Sequence, residues 1–358
     1  MTASSAPAGG TDRGWPVELD LLELWVSHLA HTQRLLTAFG FQPGDPSVHR
    51  DLDEQAVYLG NGEVGIVVRQ GGTAASPVAR HVALHGDTIA DVALVSADPA
   101  AIADRARAHG LRVSDCAGTP TIDVFGDGTV CHTLRRTRLV PGQVPSGAGP
   151  EIRGIDHVAY CLPWRSAEPA ARAYEAVLGL ERIEVGDAEE VGGQTDGMRS
   201  IALRSAGGFT VVLTEPMSPA STGQTQRFLD AHAGPGVQHA ALTYDDVGAA
   251  VESVRARGVR LLPIPDDYYV QARRRLAHLP IPWDELQRRG ILVDADERGL
   301  LFQLFTAPLT ARGTFFAELI QRAGAVGFGA NNVRALFAAL HAAMGNVAAP
   351  TSAAEASR

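Results

Sequence analysis

Two histidines, His157 in GIDHVAY and His239 in GVQHAAL, hold the same place in two stretches of this chain that resemble each other, and the matching stretches of the N-terminal half have Leu21 and Asp91 there instead. Imidazoles at equivalent strand positions suit one shared divalent metal, because a neutral ring nitrogen is a common ligand for such ions. A third donor lies downstream in TFFAELIQR. In a strand Phe316, Glu318 and Ile320 share one face, and an ionised carboxylate on an apolar face is costly unless it is paired or bound to metal. Two histidines and one carboxylate with open positions opposite form the non-haem Fe(II) arrangement. Zinc accepts the same three donors, so ligand type alone leaves the metal open. The plainer readings are satisfied core histidines and an edge-strand Glu318 pairing with Arg322. The chain has 12 His, and His28, His31, His81, His85 and His109 read as background of that kind.

The elements that must position these residues come in repeats. HGDTIADVALVSADPAAIADRARAHGLRV (from His85) and AGPGVQHAALTYDDVGAAVESVRARGVRL (from Ala233) each read as strand, acidic cap, helix and Gly. Val247, Ala250, Val251 and Val254 fall on one helical stripe, with Asp245 as the expected cap and Gly258 as the stop; Pro99 suits a first helical turn. Residues 19–42 and 155–181 form a second related pair, ending at Gly40 and Gly179. Each helix is followed by short alternating strands, with turns at Asn61-Gly62 and Gly207-Gly208. The expectation is an α+β chain of two tandem halves. Each half is built from paired βαβββ units that curl antiparallel strands into an open barrel with helices outside, and His157 and His239 face each other across one barrel. The boundaries follow from composition: a flexible leader over 1–15, a degenerate N-terminal domain over 16–139, a Pro/Gly-rich linker over 140–152, a catalytic domain over 153–345 closed by a helix over 331–344, and a tail over 346–358.

Composition narrows the function classes. The chain has 358 residues, 45% hydrophobic and 20% charged, with 38 Gly and 21 Pro, an ordinary globular balance. Its formal charge of −9, without a basic block, argues against nucleic acid and anionic membrane as partners. No apolar run reaches a membrane span. Three cysteines, Cys116, Cys131 and Cys161, make neither a disulfide framework nor a CxxC zinc site, and a cytoplasmic location fits.

Beyond these readings, GIDHVAYCL (154–162), GVQHAAL (236–242), RRGILVDADERGLLFQLFTAPL (288–309), FFAELIQRAG (315–324) and GFGANNVRALFAAL (327–340) resemble, in order and separation, the 4-hydroxyphenylpyruvate dioxygenase family, which includes 4-hydroxymandelate synthase. The first half matches more loosely, through HGDTIADVAL and FGDGTVCHTL. The resemblance implies a vicinal-oxygen-chelate (glyoxalase/bleomycin-resistance-like) fold and Fe(II) held by His157, His239 and Glu318. It implies a small-molecule 2-oxo acid substrate that carries its own keto acid, O2 as co-substrate, no oxoglutarate, and a possible homodimer. It carries substrate contacts onto Ser200, Gln226, Gln238 and Gln303, and a ring sandwich onto Phe305 and Phe328. Read alone, the glutamines are solvated residues and the phenylalanines are core. Val333, Leu336, Phe337, Leu340 and Met344 form one stripe; the resemblance makes that helix a lid on the iron pocket, hinged at residues 327–329.

Three departures bear on the product. Val333 stands where ring-hydroxylating members have Phe, Thr214 where they have Asn, and Val212 where they have Pro. HVAYCL and GGQTDGMRS look more like the synthase branch. These point to benzylic hydroxylation of 4-hydroxyphenylpyruvate to 4-hydroxymandelate, with homogentisate from ring attack, or another 2-oxo acid, as the alternative; Arg199 and Thr214 alter polar positions near the ring. The competing classes are a non-catalytic small-molecule-binding protein on the same fold, which needs no metal triad, and a metal-dependent isomerase or ring-cleaving enzyme of the wider superfamily.

Overall fold

The computed structural model of the chain describes residues 16–44, 55–116, 118–139, 149–188, 197–333 and 335–336. The leader, residues 140–148 of the expected linker, residues 337–344 of the closing helix, and the tail lie outside them. The first half contributes β1 (Glu18–Trp25), β2 (Gln42–Pro43), β3 (Gln55–Asn61), β4 (Val64–Gln70), β5 (Thr88–Val95), β6 (Arg112–Cys116), β7 (Thr119–Asp123) and β8 (His132–Arg135). The second contributes β9 (Gly154–Cys161), β10 (Glu181–Ala188), β11 (Met198–Arg204), β12 (Thr210–Pro216), β13 (Gly236–Thr243), β14 (Leu292–Asp296), β15 (Gly299–Phe305) and β16 (Phe316–Ala323).

The two sheets have one topology. Their orders are β2-β3-β4-β1-β5-β8-β7-β6 and β10-β11-β12-β9-β13-β16-β15-β14. This is the vicinal-oxygen-chelate architecture in duplicate. Two details differ from expectation. The sheets are mixed, because β1 lies parallel to β4 and β9 to β12, and β5 to β8 and β13 to β16. In each unit a helix returns the chain before three alternating strands, so the last of them runs with the first. The central strands β9 and β13 are also hydrogen-bonded neighbours rather than walls facing across a barrel. The paired units join edge to edge, and the site is built along that seam.

Local chemistry explains the punctuation. Asn61-Gly62 closes the β3–β4 hairpin with Gly62 at φ +58°, and Gly208 turns β11 into β12 at φ +90°, a left-handed conformation that favours glycine. The helix Val247–Ala256 buries Val247, Ala250, Val251 and Val254. Its cap is Asp246, whose Oδ1 accepts the Ala249 amide at 2.9 Å; Asp245, the expected cap, instead pairs with Arg153. One residue nearer the helix, Asp246 has the right offset to reach the third amide. Pro99 opens the helix Pro99–Ala108 behind the Asp98 cap.

One contiguous apolar core runs through both halves. At their junction the wholly buried His132 of β8 donates from Nδ1 to the Val92 carbonyl at 2.8 Å and accepts from the Tyr174 hydroxyl at Nε2, 2.7 Å. No helix among the described residues is long and apolar enough to cross a membrane.

Candidate metal centre

The three candidate ligands come from three adjacent strands. In the register His157 of β9 lies opposite Ala241 of β13, and Ala241 lies opposite Glu318 of β16. His239 is two residues before Ala241, so it shares the face. The small, buried Ala241 leaves the space between the flanking ligands open. The ligand atoms all lie within 4.8 Å of one another. Glu318 Oε2 is 3.4 Å from His157 Nε2 and 3.6 Å from His239 Nε2. Glu318 is 1% exposed, a place no carboxylate occupies without a compensating charge.

The same register maps Leu21, Asp91 and Thr133 of the first half onto His157, His239 and Glu318. Only Asp91 could serve as a ligand; burial, with Glu23 nearby, holds its carboxyl up at about 7, and it accepts the Thr133 amide. The degenerate half therefore has no metal triad at the matching positions.

Two β-bulges aim the histidines. His157 pairs with Ala241 but Ile155 with Leu242, so Asp156 is the extra residue; Tyr160 pairs with Val237 but Ala159 with His239, so Gln238 is the other. A bulge re-aims its side chain. Here Asp156 Oδ1 accepts His157 Nδ1–H at 2.9 Å and Gln238 Oε1 accepts His239 Nδ1–H at 3.2 Å. Each contact fixes the ring and leaves Nε2 for the common centre, the outer support typical of metal-ligating histidines. Burial opposes charge on both rings. At His157 the carboxylates of Glu318 and Asp156 overcome it and hold the ring's pKa up at about 9, while His239, buried and facing His157, is pushed well down. A divalent cation at the centre would take the place of the proton that His157 Nε2 turns toward Glu318. Arg322 is not the partner of Glu318: β16 is interior, and Arg322 forms a two-point pair with Asp156 at 2.6 and 2.8 Å.

A cavity opens in front of the triad, lined by Ser200, Val212, Thr214, Gln238, Gln303, Phe305, Phe328 and Val333. Phe328 meets the His157 ring edge-on at 5.2 Å and Phe305 meets His239 at 6.3 Å. Gln226 lies outside it, on the helix Gln224–His232, where its amide donates to Asp230 at 2.9 Å. Thr214 donates its hydroxyl to the Tyr160 carbonyl. Gln303 sits in a directed chain. Glu318 accepts only, so Gln303 Nε2 donates to Glu318 Oε1 at 2.9 Å, and Gln303 Oε1 accepts Asn332 Nδ2 at 2.7 Å. Asn332 Oδ1 in turn lies 2.7 Å from the Tyr268 hydroxyl, whose single proton it shares with the Val293 carbonyl at 2.8 Å. This order settles both amide orientations.

The chain matches the Glyoxalase/Bleomycin resistance protein/Dioxygenase superfamily over residues 154–304. It is 32% identical over 343 residues to the 4-hydroxyphenylpyruvate dioxygenase of Yarrowia lipolytica, covering 85% of this chain and 86% of that protein. It is 35% identical over 289 residues to that of Tetrahymena thermophila, covering 73% and 72%. A mutant 4-hydroxymandelate synthase from Streptomyces coelicolor superposes with a TM-score of 0.79 at 35% identity, covering 91% of this chain and 98% of that one. The chain belongs to the 4-hydroxyphenylpyruvate dioxygenase family. It is accordingly a non-haem iron dioxygenase, and its donor set fits iron: two imidazoles with Nδ1 already engaged, one buried carboxylate, and open space opposite.

Glu184, Met198, Asn332 and Leu336 line this family member's cavity too, and the sequence reading did not single them out as pocket contacts. Asp156 and Gln238 directly precede the histidines, a signal that a strand alternating strictly would hide. Glu184 comes from the edge strand β10, and burial raises its carboxyl although the Phe328 amide donates to it. Gly329, Ala330, Asn332, Val333 and Leu336 wall one side, with residues 330–333 and 335–336 helical. The space left is about 100 Å³, under the roughly 300–1,000 Å³ of ordinary ligand pockets.

Proposed function

We propose that the chain uses Fe(II) and O2, without oxoglutarate, to decarboxylate an aryl 2-oxo acid, and that it converts 4-hydroxyphenylpyruvate to 4-hydroxymandelate. In the balance, the keto acid loses CO2; one oxygen atom of O2 enters the new carboxylate and the other the benzylic C–H bond. Iron held by His157, His239 and Glu318 supplies the Lewis acidity and redox chemistry for both reactants.

The protein's own residues bind and orient. Phe305 and Phe328 offer faces for the substrate ring, with stacking gains of about 0.5–1.5 kcal/mol beyond burial. Ser200 and Gln238 offer uncharged polar contacts beside the metal. Gln303 is engaged by Glu318 and Asn332, so its work is to hold the carboxylate ligand and the closing wall together. That wall excludes water from the reacting atoms.

Val333 carries the product assignment. It lines the cavity with Val212, Met198 and Leu336, so this side is aliphatic and lets the ring turn its benzylic carbon toward the centre. The likeness to 4-hydroxymandelate synthase supports the same reading. The names of the Yarrowia and Tetrahymena relatives favour a second one, ring attack to homogentisate. Aerobic turnover of 4-hydroxyphenylpyruvate with Fe(II) alone, followed by chromatography and mass analysis, tests both. Homogentisate overturns the benzylic assignment, and a requirement for added oxoglutarate overturns the self-sufficient mechanism.

A further inference from the structure

Arg322 touches two things that the proposed mechanism treats separately. On one side its Nε and Nη2 grip both oxygens of Asp156 at 2.6 and 2.8 Å, and Asp156 holds His157 Nδ1 at 2.9 Å. On the other its Nη1 donates to the carbonyls of Ala325 at 3.2 Å and Gly327 at 2.7 Å, and its guanidinium lies 5.3 Å from the centre of the Phe328 ring. Those residues lead into the wall that narrows the cavity to about 100 Å³. The amides of the same segment are held by carboxylates: Val326 and Gly327 by Asp296 Oδ2 at 2.6 and 2.9 Å, Asn331 by Asp294 Oδ2 at 3.1 Å, and Phe328 by Glu184. One rigid, planar fork thus spans the hinge of the wall and the support of a metal ligand.

We propose that Arg322 is a positioning residue that couples closure of residues 325–333 to the pose of His157. When the segment swings out, Arg322 loses the two carbonyls, its guanidinium resettles, and Asp156 moves with it. When the segment closes, the fork is fixed again and the His157 ring is set. Closing the wall and completing the ligand geometry become one event. The proposal rests on the metal-centre reading above.

Co(II) is the probe, because its visible absorption reports affinity and ligand geometry without turnover. The full chain is titrated with Co(II) as wild type, Asp296→Asn, Arg322→Gln and the double variant. Asp296 touches the hinge amides and makes no contact with the three ligands. With the coupling, Asp296→Asn alone weakens Co(II) binding about 10-fold, the lower end of the effect of outer partners, and shifts the absorption band. In the Arg322→Gln background the same substitution changes neither. Arg322→Lys serves if Arg322→Gln does not fold: one ammonium cannot grip Asp156 and both carbonyls, so Co(II) still binds but no longer responds to Asp296→Asn. An Asp296→Asn effect of equal size with and without Arg322, or none in the wild type, overturns the coupling alone. Failure of the wild type to bind Co(II) overturns the metal-centre reading and the coupling with it.

Discussion

Asp156 and Gln238 are related by the pseudo-symmetry of the second half: each is the extra residue of a β-bulge, and each accepts the Nδ1–H of the histidine that follows it. The fold thus uses one device twice to turn an imidazole. Gln238→Leu keeps the volume and removes the acceptor. It should weaken Co(II) or Fe(II) binding about 10-fold with little change in melting temperature, while Gln238→Glu should retain the affinity. Metal titration of the three proteins decides; equal affinity in all three removes the orienting role of Gln238.

Glu318→Gln should cost more than the roughly 100-fold that outer partners command, because it replaces the one anionic ligand with a neutral amide. The variant should contain almost no metal by elemental analysis after purification in Fe(II), and chelator treatment should lower the melting temperature of the wild type but not of the variant. A metal-loaded Glu318→Gln protein would contradict the ligand assignment.

Val333→Phe narrows the aliphatic side of the cavity. The share of homogentisate should rise at the expense of 4-hydroxymandelate; a tenfold change in product ratio needs only about 1.4 kcal/mol between the two barriers. An unchanged ratio in a variant that still turns over would move control of the product elsewhere.

Tyr268→Phe removes one hydroxyl that accepts the Val293 amide at 2.7 Å and reaches Asn332 Oδ1 at 2.7 Å. Leaving the Val293 amide unsatisfied should destabilise the protein by about 1–3 kcal/mol. Asn332, which joins the closing wall to Gln303, also loses its anchor, so O2 consumption should outrun product formation. An oxygen electrode read against product yield measures this; unchanged coupling would restrict Tyr268 to a structural role.

His132 makes stability fall in mild acid. Burial lowers its pKa from 6.5 to about 4, against a smaller opposing pull from the Val92 carbonyl. The unfolded chain then binds more protons than the folded one between those values, so stability is full above about pH 6.5 and declines as pH drops towards 4. The shift corresponds to about 3 kcal/mol at the acid end. His132→Gln should flatten the denaturation midpoint against pH over that window; an unaltered slope would assign the acid sensitivity to other groups.

The sequence disclosed the duplication, its turns and all three candidate ligands, because those signals are local: apolar periodicity, Gly at turns, and residue types that differ between the copies. It did not disclose which strands touch. The pairing of β9 with β13 depends on how the units join, and no periodicity encodes that. Asp156, Arg322 and Asn332 were hidden for a related reason, since their importance comes from contacts with residues distant in the chain. Gln226 shows the converse: family likeness suggested a pocket contact, and the helix that carries it points its amide at Asp230.

The three candidate ligands sit on strands that are far apart in the chain, with that of Glu318 last. A growing polypeptide therefore cannot gather a full set of donors until nearly all of the second sheet has been made.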